Sequence, residues 1–449
     1  GQGALAAFAL AFVWWVTEPI PNHVTSIFLM VLLVFLGVRP EAEVLGALGL
    51  GVIWLNIAAF VLSSVLMKTR LAKRVSLMIV SRFGHSGQTI LFAFLVLQFL
   101  LSPLIPSSAA RTVMTLPIMV TIAAIYGSTA DKPNRFGKNL FLSNLQAIDM
   151  SGSAFITGSA ANVLAAAFII GMASHRIYYT DWMLAGLPVA LGTLLIAVYL
   201  GPRLIFRMKA EEMKPQTAGG LDALKAELQG LGAVSFDERK GAIIFSIVLV
   251  LWMTDRYHME WFGFEISAVM AALIGAIIAL TPKIGVLKWK EAEIPWHLLL
   301  FSAGAYAGGL ALESTGAARW LVTLLMDAFG IKQGVNFWVV YIVIMAVSAY
   351  SHVFFTSKTM RTIILIPLII ALAQKLGFDP VALALPAAIT MDWVISLPIN
   401  AKPNLILYSA GHFSVSENFR SGMIVTTIGF ILLIVAGFTI YRLFGIVPY

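Results

Sequence analysis

The chain has 449 residues, of which 59% are hydrophobic and 12% are charged; because soluble domains contain about 25% charged residues, this composition excludes an ordinary soluble domain. The formal charge of +8 does not indicate nucleic-acid binding, since the lysines and arginines lie in short loops between apolar runs, where basic residues set membrane orientation. The absence of cysteine excludes disulfides and cysteine metal sites.

Apolar runs along the chain predict an all-α, multi-pass membrane protein. In chain order the predicted helices cover residues 4–16, 23–38, 47–67, 88–106, 108–127, 139–172 with a break, 182–201, 241–256, 260–280, 296–313, 335–355, 358–373, 380–410 with a break, and 420–445. Several of them are shorter than the roughly 20 residues that cross a bilayer. The runs that meet at Pro106-Ser107-Ser108 and at Thr356-Ser357-Lys358 therefore predict re-entrant hairpins, whose polar tips must be buried in protein or line a cavity.

Basic residues predict which loops are cytoplasmic. They concentrate near residues 68–74, 132–138 and 283–290, and in the segment 202–240, which contains Gly219-Gly220. We predict this segment to be a cytoplasmic connector that is partly an amphipathic helix. With this orientation the helix at 4–16 runs inward, which implies an earlier helix before it. We expect the protein to lie in a bacterial inner (plasma) membrane.

Short motifs recur between the two halves of the chain at a nearly constant spacing. In order, Trp15-Val16-Thr17-Glu18 recurs as Trp252-Met253-Thr254-Asp255, Trp54 as Trp296, Phe83-Gly84 as Phe329-Gly330, Ser107, Arg111, Thr112 and Pro117 as Ser357, Arg361, Thr362 and Pro367, and Asn162 as Asn404. The first Trp helix runs inward and the second outward, so the halves are inverted. We predict an inverted-repeat transporter with repeats at 1–201 and 241–449, because broken helices of inverted halves commonly meet at a midplane site.

The two hairpin tips carry hydroxyl groups where a helix begins. Ser107, Ser108 and Ala109 form the first tip, and Ser357, Lys358 and Thr359 form the second. Free N–H groups and the helix dipole bind anions at such a position. If the tips face each other, each holds one carboxylate of a dicarboxylate; the alternative is that these hydroxyls only cap helices or bond to neighbouring helices.

Four basic residues are predicted to compensate the charge of the substrate: Arg111, Lys358, Arg361 and Lys402. Each lies within an apolar stretch, where a charge costs about 2.5–3.5 kcal/mol; snorkelling near a helix end is the alternative. Asp149 and Asp392 lie at similar depths as candidate ion partners. Four positive and two negative groups leave a surplus that matches a dicarboxylate dianion.

The broken helices add small and amide side chains to the predicted site. They provide Ser159, Asn162 and Ala401 near the breaks, where small residues let unwound backbone approach a ligand and Asn supplies both a donor and an acceptor. Helix packing by small residues is the alternative. No nucleophile, metal or nucleotide motif occurs in a suitable context, so we do not expect an enzyme.

The sequence resembles the divalent anion/sodium symporter family over essentially the whole chain. The resemblance is carried by Trp-Val-Thr-Glu at 15–18, Pro-Asn-Arg-Phe-Gly at 133–137, Phe-Ile-Thr-Gly-Ser-Ala-Ala-Asn at 155–162 and Ala-Lys-Pro-Asn at 401–404. It implies a homodimer whose protomers have a scaffold domain and a mobile transport domain, here about 88–172 and 335–410. It also implies that a Ser-Asn-Thr triplet at each tip and the segments 158–160 and 400–402 complete the substrate and sodium sites.

This chain departs from the family at both tips, where the Asn of each triplet is replaced, the second time by Lys358. A tethered cation performs the electrostatic work of a sodium ion without dissociating, so a vacant site would be too highly charged to cross. We therefore expect no sodium ion and no other cofactor, and sodium-independent exchange of 2-oxoglutarate, malate and succinate by an elevator-type mechanism. The alternatives are a sodium-coupled symporter of the same family and an anion channel.

Overall fold

The computed structural model describes residues 1–83, 86–217, 221–329, 334–355 and 357–448, and within these ranges all regular structure is helical. Six helices there are long and apolar enough to cross a membrane, or seven if a pair bent by 62° after Met253 counts as one span. The predicted all-α membrane fold is confirmed. Several residues used in the sequence analysis lie outside the described ranges: Gly84, Gly219-Gly220, Gly330 and Thr356.

The first half begins with two helices that contact each other, α1 and α2, and also contains a hairpin and a broken helix. Its elements are α1 (Gln2–Thr17), α2 (Asn22–Phe35), α3 (Glu41–Leu45), α4 (Gly51–Thr69), α5 (Leu71–Phe83), α6 (Gly87–Leu101), α7 (Ser108–Ile125), α8 (Arg135–Ser153), α9 (Ala160–Ala173) and α10 (Tyr179–Leu200). Helices α6 and α7 form the hairpin whose tip is Ser107-Ser108. The chain unwinds between α8 and α9, where a single 3₁₀ turn covers Ile156–Gly158.

The second half repeats this arrangement after the connector helix α11 (Asp222–Gly230). Its elements are α12 (Phe236–Met253), α13 (His258–Phe262), α14 (Ala268–Leu280), α15 (Trp296–Ser314), α16 (Ala317–Phe329), α17 (Phe337–Tyr350), α18 (Lys358–Leu376), α19 (Pro380–Ile389), α20 (Lys402–Ser409), α21 (Val415–Phe438) and α22 (Ile440–Leu443). Helices α17 and α18 form the second hairpin, and the chain unwinds between α19 and α20.

Matching contacts in the two halves bear out the repeat at the level of single side chains. The indole N–H of Trp15 donates to the carbonyl of Asn22 at 3.3 Å, and that of Trp252 donates to the carbonyl of Ala268 at 3.0 Å. This bond joins the end of α1 to the start of α2 in the first half, and the end of α12 to the start of α14 in the second. The two halves of the predicted inverted repeat therefore share this indole hydrogen bond.

Two second-half helices begin earlier than their hydropathy predicts, because capping side chains place their first turns. Helix α12 starts at Phe236 rather than 241, where Ser235 and Glu238 form a capping box. Helix α21 starts at Val415 rather than 420, where Ser414 and Glu417 do the same. Reciprocal side-chain caps satisfy backbone N–H groups at a helix start, so polar residues extend these helices beyond the apolar run.

The hairpins and the broken helices pack on one another across the two halves. Helix α18 contacts α9, α20 contacts α7, and α8 contacts α6 and α7. A second group consists of α2 against α15 and α4 against α14, with α12 beside α14. This arrangement brings both tips and both unwound segments together.

Candidate functional site

The two hairpin tips have the same construction. The hydroxyl of Ser107 accepts the N–H of Ala110 at 3.2 Å, and that of Ser357 accepts the N–H of Met360 at 3.4 Å. One turn later Thr112 donates to the carbonyl of Ser108, as Thr362 donates to that of Lys358. Both serines therefore act as helix caps, and their O–H groups donate to none of the described residues, so that they can donate to an anion.

Lys358 joins the two halves. Its ammonium lies 3.2 Å from the hydroxyl of Ser108 on the opposite tip. It also lies 3.0 Å from Oδ1 of Asp392 and 3.6 Å from Oδ1 of Asp149. Both carboxylates are fully buried, whereas the Lys358 side chain is 15% exposed. The lysine that the sequence placed beside a ligand is thus already paired with one carboxylate from each broken helix.

Two fully buried arginines stand beside these carboxylates. Arg111 donates to the hydroxyl of Ser151 at 3.0 Å and to the carbonyl of Gly158 at 3.5 Å. Arg361 donates to the carbonyl of Thr390. Arg111 interacts electrostatically with both aspartates and Arg361 with Asp392. We call Arg111, Lys358, Arg361, Asp149 and Asp392 the central charge cluster; its three bases and two acids leave one excess positive charge.

The fourth predicted base, Lys402, makes no ion pair with Asp149 or Asp392, which pair with Lys358, and its role beside the substrate stays a prediction. Lys402 is the first residue of α20, beyond the break, and its side chain is exposed. Its charge acts on His297 instead. Hydropathy placed Lys402 within an apolar run but could not tell which way the residue after the break faces. Counted without Lys402 the surplus is one positive charge, and counted with Lys402 it is the two that match a dianion.

Asparagines brace the two unwound segments in the same way. Nδ2 of Asn162 donates to the carbonyls of Gly152 and Phe155 at 2.8 and 2.9 Å. Nδ2 of Asn404 donates to the carbonyls of Val394 and Leu397 at 2.5 and 3.0 Å. The Oδ1 atoms of both amides are buried and accept no hydrogen bond from the described residues. Each half thus presents an unpartnered oxygen beside unwound backbone.

The remaining predicted site residues lie at the tips and just after the breaks. Ser159 caps α9 through the N–H of Asn162 at 3.3 Å, while Ala401 stands at the same place before α20 without a side-chain cap. Ala109, Thr359 and Ala401 are half-buried. The structure therefore groups the predicted residues around the crossing of hairpins and breaks, with Lys402 to one side.

A cavity of about 640 Å³ opens beside the first tip. Ser107 and Ala110 line it from α7, Ser63 and Ser64 line it from α4, and Glu293 and His297 line it from the start of α15. Because Lys402 acts on His297, its ammonium is close to this cavity. The cavity is large enough for a small organic anion and offers hydroxyl donors on two sides.

Sequence reasoning missed the polar partners of the two arginines, Ser151 and Thr390, and the close approach at Gly152. A side chain on Gly152 would place its Cβ 2.9 Å from Oδ2 of Asp392. A signal was present, since each partner lies two residues from a buried aspartate: Ser151 after Asp149 and Thr390 before Asp392. In both halves the α-helix ends close to such a pair of polar residues within an apolar run.

Comparison with known proteins gives a consistent result. The family model described as "Sodium:sulfate symporter transmembrane region" matches residues 1–447. A protein of Cupriavidus necator named "Membrane protein" is 27% identical over 99% of this chain and 88% of its own length. Proteins named "Sodium-dependent dicarboxylate transporter SdcS" from Staphylococcus aureus and Staphylococcus saprophyticus are 24% and 25% identical, each over 94% of this chain and 82% of their own length.

The expectation that no sodium ion takes part is wrong, because it conflicts with the description of the matching family and with the names of these relatives. The physical reason lies in the charge count. The expectation treated four bases as a substitute for sodium, but Lys402 is outside the central charge cluster. With one excess positive charge, a bound dianion would leave the cluster negative unless a cation accompanied it.

Proposed function

The chain belongs to the sodium:sulfate symporter family, as the match over residues 1–447 shows, and on this premise we propose that it is a sodium-coupled dicarboxylate transporter of a bacterial plasma membrane. One observation carries the proposal: the staphylococcal relatives named sodium-dependent dicarboxylate transporters align with 94% of the chain. The central charge cluster is compatible with this proposal, because its one excess positive charge does not by itself neutralise a dianion.

We assign substrate binding to the tips and to the cavity beside them. The caps Ser107 and Ser357 keep a free O–H at a helix N-terminus, which favours an anion. Ser108, already bonded to Lys358, extends this surface. The remaining contacts fall to the small or hydroxyl residues around them, Ala109, Thr359, Ser159 and Ala401. Lys402, beside the cavity, suits the second carboxylate.

Sodium fits the unwound segments better than the tips. Unwound carbonyls and helix ends commonly coordinate sodium in transporters with broken helices. Asn162 and Asn404 hold those carbonyls in place and keep a buried Oδ1 with no hydrogen-bond donor among the described residues. The donor set is therefore all oxygen, as a hard monovalent cation prefers.

The moving part in this proposal contains the hairpins and the broken helices, residues 88–172 and 335–410. These helices contact one another, α18 with α9 and α7 with α20, while α2 and α4 pair with α15 and α14. An elevator-type movement would carry the first group past the second. A homodimer held by the second group, the scaffold, would give the moving part a fixed frame.

Uptake by proteoliposomes tests the proposal. We expect radiolabelled succinate to accumulate under an inward sodium gradient and to stop accumulating when potassium or choline replaces sodium. Equal uptake without sodium, or uptake only when dicarboxylate is preloaded inside, would contradict it and favour exchange. Unitary currents in a planar bilayer would favour a channel instead.

A further inference from the structure

A second cavity, of about 520 Å³, opens where three helices begin or end. Its walls come from the start of α8, the segment that follows α10 and the start of α21, and these helices contact one another. We call it the basic cavity, after the four bases that line it: Arg135, Lys138, Arg207 and Arg420. It shares no lining residue with the cavity beside the first tip, so the proposed transport function does not account for it.

The basic cavity carries a surplus of positive charge. Lys138 pairs with Glu417 at 2.5 Å, which neutralises one base. Arg135, Arg207 and Arg420 form no ion pair with any of the described residues, and Arg135 instead donates to the main-chain carbonyl of Arg207 at 2.7 Å. Three guanidinium groups therefore line one space without carboxylate partners of their own.

Basic residues in cytoplasmic loops set membrane orientation without binding a ligand, and this is the alternative role for the three arginines. Three bases elsewhere on the predicted cytoplasmic side are paired with acids: Lys68 with Glu291, Lys73 with Glu227 and Arg74 with Glu238. The basic cavity has one further acid beside it, Glu212, whose carboxylate accepts the N–H of Arg135 at 2.9 Å. With Glu417 and Glu212 counted, its four bases still leave two positive charges in excess. Orientation alone does not require that these charges line a concave space.

The basic cavity also lies at the ends of membrane spans. The candidate span Tyr179–Ile205 ends at it, and the candidate span Val415–Leu443 begins at it. Leu204 and Ile205 line it from the end of the first of these spans, and Leu204 is 70% exposed. A molecule in the cavity would therefore meet guanidinium groups on one side and the exposed apolar surface of a span on the other.

We propose that the basic cavity binds the phosphate headgroup of an anionic phospholipid, whose acyl chains extend along the apolar surface that begins at Leu204. A guanidinium group can bind two phosphate oxygens at once, and the cavity offers three such groups. Ser416 lines it from the first turn of α21, where free N–H groups favour an anion. Basic pockets between membrane helices bind lipid headgroups in this way. One lipid would join the ends of α8, α10 and α21 and so stabilise the folded protein.

Lipid binding to the full chain in detergent tests the proposal. After co-purified lipid is removed, phosphatidylglycerol is added in steps; native mass spectrometry counts the bound lipids, and thermal unfolding measures the stabilisation. We expect one bound phosphatidylglycerol and a raised unfolding temperature, and neither effect from phosphatidylcholine, whose headgroup has no net charge. The double variant Arg207→Gln with Arg420→Gln should bind phosphatidylglycerol at least about tenfold more weakly, because it loses charge-assisted hydrogen bonds to the phosphate.

The matched control removes two arginines that do not line the basic cavity. Arg82 and Arg239 are exposed, so Arg82→Gln with Arg239→Gln should bind phosphatidylglycerol as the unmodified protein does. Equal losses in the two double variants would mean that the charge of the whole surface attracts the lipid, and would overturn the proposal. Should the variant at 207 and 420 not yield folded protein, Arg420→Gln alone decides: weaker binding supports the proposal, and unchanged binding overturns it.

Two further outcomes would also overturn the proposal. Equal stabilisation by phosphatidylcholine and phosphatidylglycerol would show that the cavity does not recognise the charge of the headgroup. Stabilisation by inorganic phosphate or glycerol 3-phosphate to the same extent as by phosphatidylglycerol would show that a free phosphate, and not a lipid, is the ligand.

Discussion

The first and second broken helices solve one geometric problem with different side chains. At the 3₁₀ turn of the first break stands Gly158, and at the matching turn of the second stands Asn400. Gly158 lets the chain pass close to Gly152. Asn400 instead donates to the carbonyls of His352 and Phe355, which follow α17 in the second hairpin. The repeat thus fixes the path of the backbone, while each half stabilises that path in its own way.

The largest effect is expected from a substitution of Gly158 in the first break. A Cβ on Gly158 would overlap the carbonyl oxygen of Gly152, a backbone atom that cannot swing aside as a side chain could. We expect Gly158→Ala to abolish recovery of folded protein in size-exclusion chromatography. Gly46→Ala, at a glycine with open space around it, is the matched control. A Gly158→Ala protein that elutes and unfolds like this control would show that the backbone at the first break can shift to accommodate a methyl group.

The second half should tolerate the corresponding change better. Asn400→Ala removes hydrogen bonds to two carbonyls and one to the N–H of Leu397, and each contributes about 0.5–1.5 kcal/mol. That loss weakens the hairpin contact without creating a clash. The same chromatography should therefore recover folded Asn400→Ala protein with a lower unfolding temperature, in contrast to Gly158→Ala.

The next largest effect on stability is expected at the two buried aspartates, one from each broken helix. Asp392 lies nearer to Lys358 than Asp149 does, at 3.0 against 3.6 Å, and it alone interacts with both arginines. Removing one partner of a buried ion pair costs about 3 kcal/mol. We expect Asp392→Asn to lose about that much stability in thermal unfolding and Asp149→Asn to lose less.

A compensating change tests whether this loss is electrostatic. Lys358→Met combined with Asp392→Asn removes a charge of each sign, leaving the two arginines with Asp149. We expect it to recover part of the stability lost in Asp392→Asn. Equal losses for the two single aspartate variants, or no recovery in the double variant, would mean that shape rather than charge holds the halves together.

Sequence patterns predicted the backbone of this molecule well because hydropathy and repetition both report on it. The hairpin tips, the two broken helices within 139–172 and 380–410, and the matched pairs such as Arg111 and Arg361 all follow from apolar runs interrupted at equivalent places. Burial of these arginines also follows, since they stand in the middle of such runs. These features depend on local composition and on spacing along the chain.

The hydrogen-bond and ion-pair partners of each charged side chain could not be predicted in this way, because they depend on contacts between distant segments. Lys358 bonds to Ser108, 250 residues away, and its two carboxylates come from different halves. The sequence offered Asp149 and Asp392 as candidate ion partners of the bases but did not rank them above a substrate carboxylate or choose Lys358 among the bases. The facing of Lys402 could not be predicted for a related reason: a break changes the direction of the chain, so the residue after it no longer follows the facing of the run.

The smallest effect on stability is expected at the two capping serines, where the two halves are alike. Loss of a capping hydroxyl in a Ser→Ala change costs about 1 kcal/mol, whereas Ser→Gly costs only a few tenths. Ser107→Ala and Ser357→Ala should therefore lower stability equally, by about 1 kcal/mol, and the glycine variants should unfold close to the unmodified protein. Thermal unfolding in detergent measures this directly.

The same four variants separate capping from ligand binding. If each hydroxyl also donates to a substrate carboxylate, Gly and Ala variants must lose succinate affinity to the same extent, although only the alanines lose stability. Losing one hydrogen bond to a charged group corresponds to about 1.5–3 kcal/mol, or roughly a tenfold to hundredfold weaker affinity. Affinity that follows stability, recovering with Gly, would assign these serines to capping alone. A loss at Ser107 but not at Ser357 would extend the asymmetry set by Lys358 from charge to substrate contact, because the ammonium would then have taken over the role of the second hydroxyl.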